Sequence, residues 1–176
     1  GISLNVLAIF TDDHGKTWQR SNEVPRGRGG NENQVVELGD GTILMDIRQN
    51  GGEHRWLSTS TDGGKTWSEP RPGVAVSPVA CAIERLTLKS AGDDRDRILW
   101  TGPKGPGRHT LVGRISYDEG QTFPHEKIIA DEPAAYSDLT ILKDGAVGIL
   151  WERGNYKHLT FTRLSREFLE SETITE

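Results

Sequence analysis

The sequence is poor in cysteine and in long apolar runs, and its histidines are scattered. Cys81 is the only cysteine, so an internal disulfide and a cysteine-based metal site are excluded. No apolar run approaches the roughly 20 residues that a membrane-crossing helix needs. The five histidines show no ligand spacing, so we expect no metal and no cofactor. The formal net charge of −5 argues against nucleic acid or an anionic membrane as partner, although a local arginine cluster can still bind a small anion.

The chain is rich in glycine and proline, the residues that favour turns. Among its 176 residues are 21 glycines and 8 prolines, and only 34% are hydrophobic. Strands bury about one side chain in two and their turns consume polar residues and glycine, so this balance favours an all-β domain. The opening GISLNVLAIF has neither an initiator methionine nor the features of a signal peptide. It therefore has the character of a fragment, and the cellular compartment stays open.

An eight-residue motif occurs three times. Its pattern is S/T-x-D-x-G-x-T-W/F, with sequences TDDHGKTW, STDGGKTW and SYDEGQTF at 11–18, 60–67 and 116–123. The motif aspartates Asp13, Asp62 and Asp118 lie 49 and 56 residues apart. That period is close to the length of a four-stranded propeller blade. The repeats therefore predict a β-propeller built from such blades.

The motif itself has the chemistry of a tight turn. An aspartate carboxylate accepts backbone N–H bonds from the turn that follows it, and glycine adopts backbone angles that side chains disfavour. The aromatic residue at the end is expected to pack between blades. We therefore interpret the motif aspartates as turn staples and not as catalytic or calcium-binding groups.

Strand signals fill the intervals between the motifs, and each motif follows the third strand of a group. Strands are predicted at 6–10, 34–38, 43–48, 55–60, 79–88, 97–101, 110–116, 137–142, 147–151 and 158–163. Only residues 166–170 have helical character. These make half a blade, two blades closed by motifs and a last blade without one. About three and a half blades cannot close a ring, and an open propeller leaves edge strands exposed. We expect the rest of the propeller to come from a further segment or from another chain.

Five segments outside the motifs resemble the sialidases (neuraminidases), and they occur in the order found in that family. These segments are NENQVVEL at 31–38, MDIR at 45–48, RHTLVGR at 108–114, AAYSDLT at 134–140 and LWERG at 150–154. LTFTR at 159–163 also resembles the close of the family's domain. The resemblance covers nearly the whole chain. It implies that residues 1–176 are the carboxyl-terminal half of a six-bladed catalytic β-propeller.

The resemblance also implies a catalytic site. Sialidases use a tyrosine nucleophile, since a carboxylate would be repelled by the carboxylate on the anomeric carbon of sialic acid. A phenol needs a neighbouring base, and arginine provides the bidentate geometry for the substrate carboxylate. By resemblance Tyr136 is the nucleophile, Glu32 its base, and Arg48 and Arg108 two of three carboxylate-binding arginines. Glu152 matches the glutamate that supports the family's first arginine.

Each of these residues has a rival or a simpler interpretation. Tyr136 also suits a buried aromatic with a bonded hydroxyl, and Arg48 suits a surface arginine at a strand end. Glu32 also suits a solvated loop carboxylate. Its nearest rival is Glu37, although strand alternation after residue 34 places Glu37 on a ladder face. Arg114 is the rival of Arg108, but its position just before the third motif places it near the outer turn. Two further acidic residues are interpreted as structural, Asp46 and Asp138.

The resemblance implies an exo-α-sialidase, a retaining glycoside hydrolase that removes terminal sialic acid from glycoproteins, glycolipids and oligosaccharides. The first arginine and the acid/base aspartate match no segment of this chain, so we expect full activity to require an amino-terminal half. Two alternatives stay open. The first is a non-catalytic propeller that binds glycans or proteins, against which the tyrosine, glutamate and arginine set argues. The second is a trans-sialidase, which shares the same residues.

Overall fold

A computed structural model describes residues 5–25 and 30–171, so the first four residues of the opening segment lie outside it. The protein is all-β with one short helix, α1 at Arg166–Glu170, and a single 3₁₀ turn at Lys89–Ala91 within the described residues. The strands are β1 (Ile9–Phe10), β2 (Gln19–Arg20), β3 (Gly30–Glu37), β4 (Ile43–Gln49), β5 (His54–Ser60), β6 (Arg71–Ala75), β7 (Ala82–Thr87), β8 (Arg97–Pro103), β9 (His109–Ser116), β10 (His125–Ile141), β11 (Val147–Arg153) and β12 (His158–Leu164). Over the described ranges, no helix is both long and apolar enough to cross a membrane.

The strands follow one another as antiparallel neighbours. Strands β1 and β2 pair alone, β3 to β6 form a four-stranded sheet, and β7 to β12 form a six-stranded sheet in chain order. Every connection between paired neighbours is local, which suits the hairpin-forming turn residues of the sequence. At the Gly39–Gly41 turn, for example, Gly41 has a φ of 85° and the N–H of Leu38 donates to the carbonyl of Thr42 at 2.7 Å.

Strand β10 belongs to two repeat units at once. Its first part, 125–133, pairs with β9, and its second part, 134–141, pairs with β11. The chain therefore divides into a first unit (β1–β2), a second (β3–β6), a third (β7–β9 with the first part of β10) and a fourth (the second part of β10 with β11 and β12). The second and third motifs directly follow β5 and β9, the third strands of their units, as predicted.

The sequence did not predict β2, β6, the first part of β10 or the first four residues of β3. Strand β2 is two exposed residues long, so it has no hydrophobic pattern. Strand β6 contains Pro72 and Gly73, which normally mark a turn, but it lies at the edge of its sheet, where proline is tolerated. The first part of β10 includes a polar Asp-Glu-Pro sequence ending at Pro133, which lies beside a register shift in the β9–β10 ladder. The helix at 166–170 is confirmed to the residue.

The three motif aspartates close their own turns. Each carboxylate accepts the backbone N–H of the threonine four residues later, at 2.8–2.9 Å, and the hydroxyl of the same threonine at 2.6 Å. The hydrogen bonds from Thr17, its hydroxyl bond first, lower the pKa of Asp13 to about 2. The interpretation of these residues as turn staples is confirmed.

Apolar side chains fill the spaces between units. One such cluster joins the second and third units and contains, among others, Val36, Leu44, Leu57, Ile83, Ile98, Trp100 and Val112. The ring of Tyr136 packs against its edge. Trp67 of the second motif is buried against the first unit, whereas Trp18 of the first motif is 59% exposed. Leu159 and Phe161 of the last strand are 69% and 59% exposed, so the outer faces of both terminal units are apolar and open.

Candidate active site

Tyr136 lies on a β-bulge in the middle of β10. Against β11, Ala134 pairs with Arg153 and Ser137 pairs with Trp151, so two residues of β10 lie opposite Glu152 alone. A bulge of this kind leaves a backbone N–H outside the ladder and redirects a side chain. The freed N–H of Tyr136 donates to Oε2 of Glu152 at 3.2 Å. The bulge therefore ties the backbone of Tyr136 to the side chain of Glu152.

A second bulge places the acidic partner of this tyrosine. Between β3 and β4, Gly30 pairs with Gln49 and Asn33 pairs with Ile47, so residues 31–32 lie opposite Arg48. The side chains of Glu32 and Arg48 meet directly as an ion pair. The arginine side chain is 15% exposed and the glutamate side chain 40% exposed, so the pair opens to solvent on one side. Irregular pairing thus brings both residues to the same end of the sheet.

Three polar groups then meet at one point. The Tyr136 hydroxyl donates to Oε1 of Glu32 at 2.7 Å and accepts a hydrogen bond from Nη1 of Arg48 at 2.9 Å. The same Nη1 donates to Oε2 of Glu32. Tyrosine and glutamate are 104 residues apart in the chain, yet they lie within direct proton-transfer distance.

Arg108, the residue before β9, also lies close to Tyr136. Its Cζ lies 5.2 Å from the centroid of the Tyr136 ring, which is within cation–π distance. Its Nη2 donates to the carbonyl of Pro78 at 3.2 Å, and its Nη1 to the hydroxyl of Tyr156 at 2.8 Å. Three of the predicted residues, Glu32, Arg48 and Arg108, therefore lie around the Tyr136 phenol, and Glu152 binds the Tyr136 backbone.

The predicted rivals lie elsewhere. Glu37 is at the far end of β3 from Glu32, and its carbonyl accepts a bond from Arg85. Arg114 pairs with Glu126 on the outer β9–β10 ladder. Asp46 is buried in an ion pair with Arg55, and Asp138 binds Gln34 at 2.8 Å; both bonds tie strands together. The structure therefore groups the preferred residues and separates the alternatives.

The electrostatics keep the proton on the tyrosine. Partial burial by itself raises the pKa of Glu32, but the hydrogen bonds from Arg48 and Tyr136, together with the charges of Arg48 and Arg108, outweigh it, so its pKa lies below the ordinary value. The hydrogen bond to the Glu32 carboxylate, helped by burial, raises the pKa of Tyr136 above its ordinary value, and Arg48 offsets part of this rise. At neutral pH the resting pair is a neutral phenol and a carboxylate.

This pairing predicts the titration of Glu32. In the natural protein labelled with ¹³C-glutamate, we expect the Glu32 carboxyl to titrate with a midpoint below about 4.3, the usual value. The Arg48→Gln variant should raise this midpoint, because it removes both a hydrogen bond and a positive charge. The lowered pKa also makes the stability of the fold depend on pH. The ionised Glu32 carboxylate contributes its full stability above the pKa of the unfolded state, and this contribution is lost as pH falls through the pKa of the folded state.

The matched control is Arg114→Gln, which removes an arginine that pairs with Glu126 instead. It should leave the Glu32 midpoint unchanged. Two results would contradict the described pairing. One is a Glu32 titration midpoint in the wild type at or above the usual value, and the other is a Glu32 midpoint that does not change in Arg48→Gln.

A groove of about 520 Å³ runs beside the pair and is lined in part by Glu32, Tyr136 and Glu152. A larger groove of about 800 Å³ lies beside the third motif, between the second and third units, but its lining offers no nucleophile next to a base. The candidate site is therefore identified by the chemistry of its lining residues and not by the volume of the groove.

No group of three potential metal ligands occurs within residues 5–25 and 30–171.

Sequence reasoning missed Tyr156, the partner of Arg108. It lies in the turn between β11 and β12, where the pattern shows only polar and glycine residues around it. No periodic signal marks such a position. An aromatic residue beside Asn155, between two predicted strands, was the one available hint.

Comparison with known proteins is consistent with this geometry. Residues 3–149 match the family model of the BNR repeat-like domain. The chain is 32% identical over 162 residues to a sialidase of Micromonospora viridifaciens, covering 86% of this chain and 24% of that protein. It is 41% identical over 176 residues to a sialidase of Paraclostridium sordellii, covering 90% of this chain and 43% of the relative.

Among solved structures, the leech intramolecular trans-sialidase superposes with a TM-score of 0.75 and 26% identity, over 92% of this chain and 27% of that one. The chain therefore spans less than half the length of the relatives that it matches. Its all-β architecture is that of the sialidase propellers. The chain belongs to the family of BNR repeat-like domains, and it corresponds to part of a sialidase domain.

Proposed function

We propose that residues 1–176 form the carboxyl-terminal part of a six-bladed propeller that acts as an exo-α-sialidase on sialylated glycans. The observation that carries the proposal is the 2.7 Å hydrogen bond from the Tyr136 hydroxyl to Glu32, between Arg48 and Arg108. The sialidase relatives support it. The exposed apolar faces of the first and last units support a ring that further blades complete, because monomeric proteins rarely leave such faces uncovered.

In the proposed reaction Tyr136 is the nucleophile. Its oxygen attacks the anomeric carbon of sialic acid while Glu32 takes the phenolic proton, and the bond to the leaving oxygen breaks. Arg48 and Arg108 bind the substrate carboxylate. The leaving oxygen needs a proton from an acid that the missing blades provide. Water then cleaves the tyrosyl–sugar bond and gives a proton to the conjugate base of that acid. Glu32 returns its proton to the tyrosine oxygen, so the phenol is restored and the configuration is retained.

Substrate binding itself promotes the proton transfer. The charges of Arg48 and Arg108 help to hold the pKa of Glu32 below its ordinary value. A substrate carboxylate bound to these arginines offsets part of their charge, which raises the basicity of Glu32. Glu32 becomes an effective base when a substrate is in place, and Tyr136 stays protonated in the empty site.

The test is hydrolysis of a fluorogenic α-sialoside by the natural protein, with the anomeric configuration of the released sugar followed by NMR at early times. We expect the α-anomer first, as double displacement requires. The same spectra identify the product: free sialic acid indicates hydrolysis, whereas an anhydro sugar or a sialylated acceptor indicates a trans-sialidase. Binding of sialylated glycans without any turnover would instead support the non-catalytic alternative.

A further inference from the structure

The turn between β11 and β12 has an unusual backbone. Three successive residues lie in the left-handed region, with φ values of 61° at Gly154, 55° at Asn155 and 67° at Tyr156. The N–H of Lys157 donates to the carbonyl of Arg153 at 3.1 Å, which closes a single left-handed turn. Glycine and asparagine tolerate this region, but an aromatic residue there is a true outlier.

Packing does not explain why a tyrosine occupies this strained position. Tyr156 is 58% exposed, so its ring contributes little to a core. Its hydroxyl, however, accepts a hydrogen bond from Nη1 of Arg108 at 2.8 Å, and its ring centroid lies 6.0 Å from Cζ of that arginine. Strained residues persist where the surroundings hold them, and they cluster at functional sites.

Arg108 is held by neutral groups only. Nη1 binds the hydroxyl of Tyr156 and Nη2 binds the carbonyl of Pro78, and within the described part of the chain Arg108 forms no ion pair with a carboxylate. Arg48, by contrast, is paired with Glu32. Arg108 is therefore fixed in orientation while its charge stays available for an incoming anion. A charged partner in place of Tyr156 would compete with that anion.

We infer that Tyr156 is a positioning residue that holds the Arg108 guanidinium in place for the substrate carboxylate. This inference rests on the proposed function, in which Arg108 binds that group. Tyr156 acts at a distance from the reacting atoms, since its hydroxyl meets Arg108 and not Tyr136 or Glu32. Loss of the Tyr156 hydroxyl should therefore weaken binding of the substrate carboxylate and leave binding of the rest of the sugar unchanged.

The experiment measures the affinity of the natural protein for the non-hydrolysable 2,3-didehydro analogue of sialic acid and for its methyl ester. Tyr156→Phe should weaken binding of the acid about tenfold, the usual effect of losing a hydrogen bond to a charged group. It should leave binding of the ester within about twofold. In an Arg108→Lys background, Tyr156→Phe should have no further effect, because the planar guanidinium that it holds is gone.

Two further variants separate positioning from folding. Tyr156→Asn suits the left-handed backbone better, so its melting temperature should equal or exceed that of the wild type while it still loses affinity for the acid. Tyr117→Phe is the matched control, since its hydroxyl binds Glu170 and should leave the affinity for the acid unchanged.

The two possible failures are distinguishable. A Tyr156→Phe variant that binds the acid like the wild type, or that loses acid and ester equally, would overturn the positioning role and leave the proposed function intact. A wild-type protein that binds acid and ester equally well would overturn the carboxylate clamp itself. The proposed function would then fall together with the role of Tyr156.

Discussion

Tyr136→Phe is expected to lower kcat for a fluorogenic sialoside by about 10³-fold or more, the scale seen when a catalytic nucleophile is removed. Phenylalanine keeps the ring that packs against the edge of the cluster between the second and third units, and it removes only the oxygen that is to attack the anomeric carbon. The hydroxyl also bonds Glu32 and Arg48, but these two residues still pair with each other in the variant. The loss should therefore fall on kcat and not on folding.

The measurement is steady-state kinetics on the natural protein, together with the affinity for the didehydro acid. Binding should stay within a few-fold of the wild type, because the arginines that bind the carboxylate are intact. Tyr117→Phe again serves as a tyrosine control, and its kcat should not change. A Tyr136→Phe enzyme with kcat within about tenfold of the wild type would reject the tyrosine nucleophile, since even the loss of a general acid or base typically costs about 10²- to 10⁴-fold.

The repeat architecture was accessible from the sequence because its signals are local. Each motif carries its aspartate, glycine and threonine within eight residues, and the turn that they form needs no distant partner. Strands with β-branched and aromatic alternation, such as 43–48 and 147–151, were placed within two residues of their observed ends. Strands with proline or exposed polar residues, such as Arg71–Ala75, have no local signal and were missed.

The site was accessible in part, and only through resemblance. The sequence alone offers no reason for Glu32 and Tyr136 to meet, since two bulges and the packing of adjacent units create the contact. Bulges have no sequence signature at these positions, so the backbone bond from Tyr136 to Glu152 was not foreseen. The roles given to these residues remain proposals, while their proximity is a structural fact.

Glu152 illustrates how the same residue can serve two purposes. The resemblance gives it the role of supporting an arginine of the family's propeller, and in this structure it accepts the N–H that the bulge frees at Tyr136. One carboxylate oxygen thus holds the backbone of the proposed nucleophile.

Asp46→Asn is expected to destabilise the protein by about 3–5 kcal/mol, the cost of breaking one side of a buried ion pair. Asp46 is fully buried and accepts two bonds from Nε of Arg55, at 2.9 and 3.1 Å. It also accepts the indole N–H of Trp100 from the third unit at 3.1 Å, while Arg55 donates to the carbonyl of Val79. The aspartate therefore links two repeat units, and an amide in its place leaves the buried guanidinium without a countercharge.

Equilibrium unfolding in urea measures this loss as a lower midpoint at an unchanged slope. The matched control is Asp144→Asn, which breaks a pair whose side chains are 60% and 56% exposed and should cost less than about 1 kcal/mol. Replacing Asp46 and Arg55 together by leucine and methionine should restore part of the stability, because no charge then stays buried and unpaired. An Asp46→Asn loss as small as that of the control would show that the inter-unit contact depends on apolar packing alone.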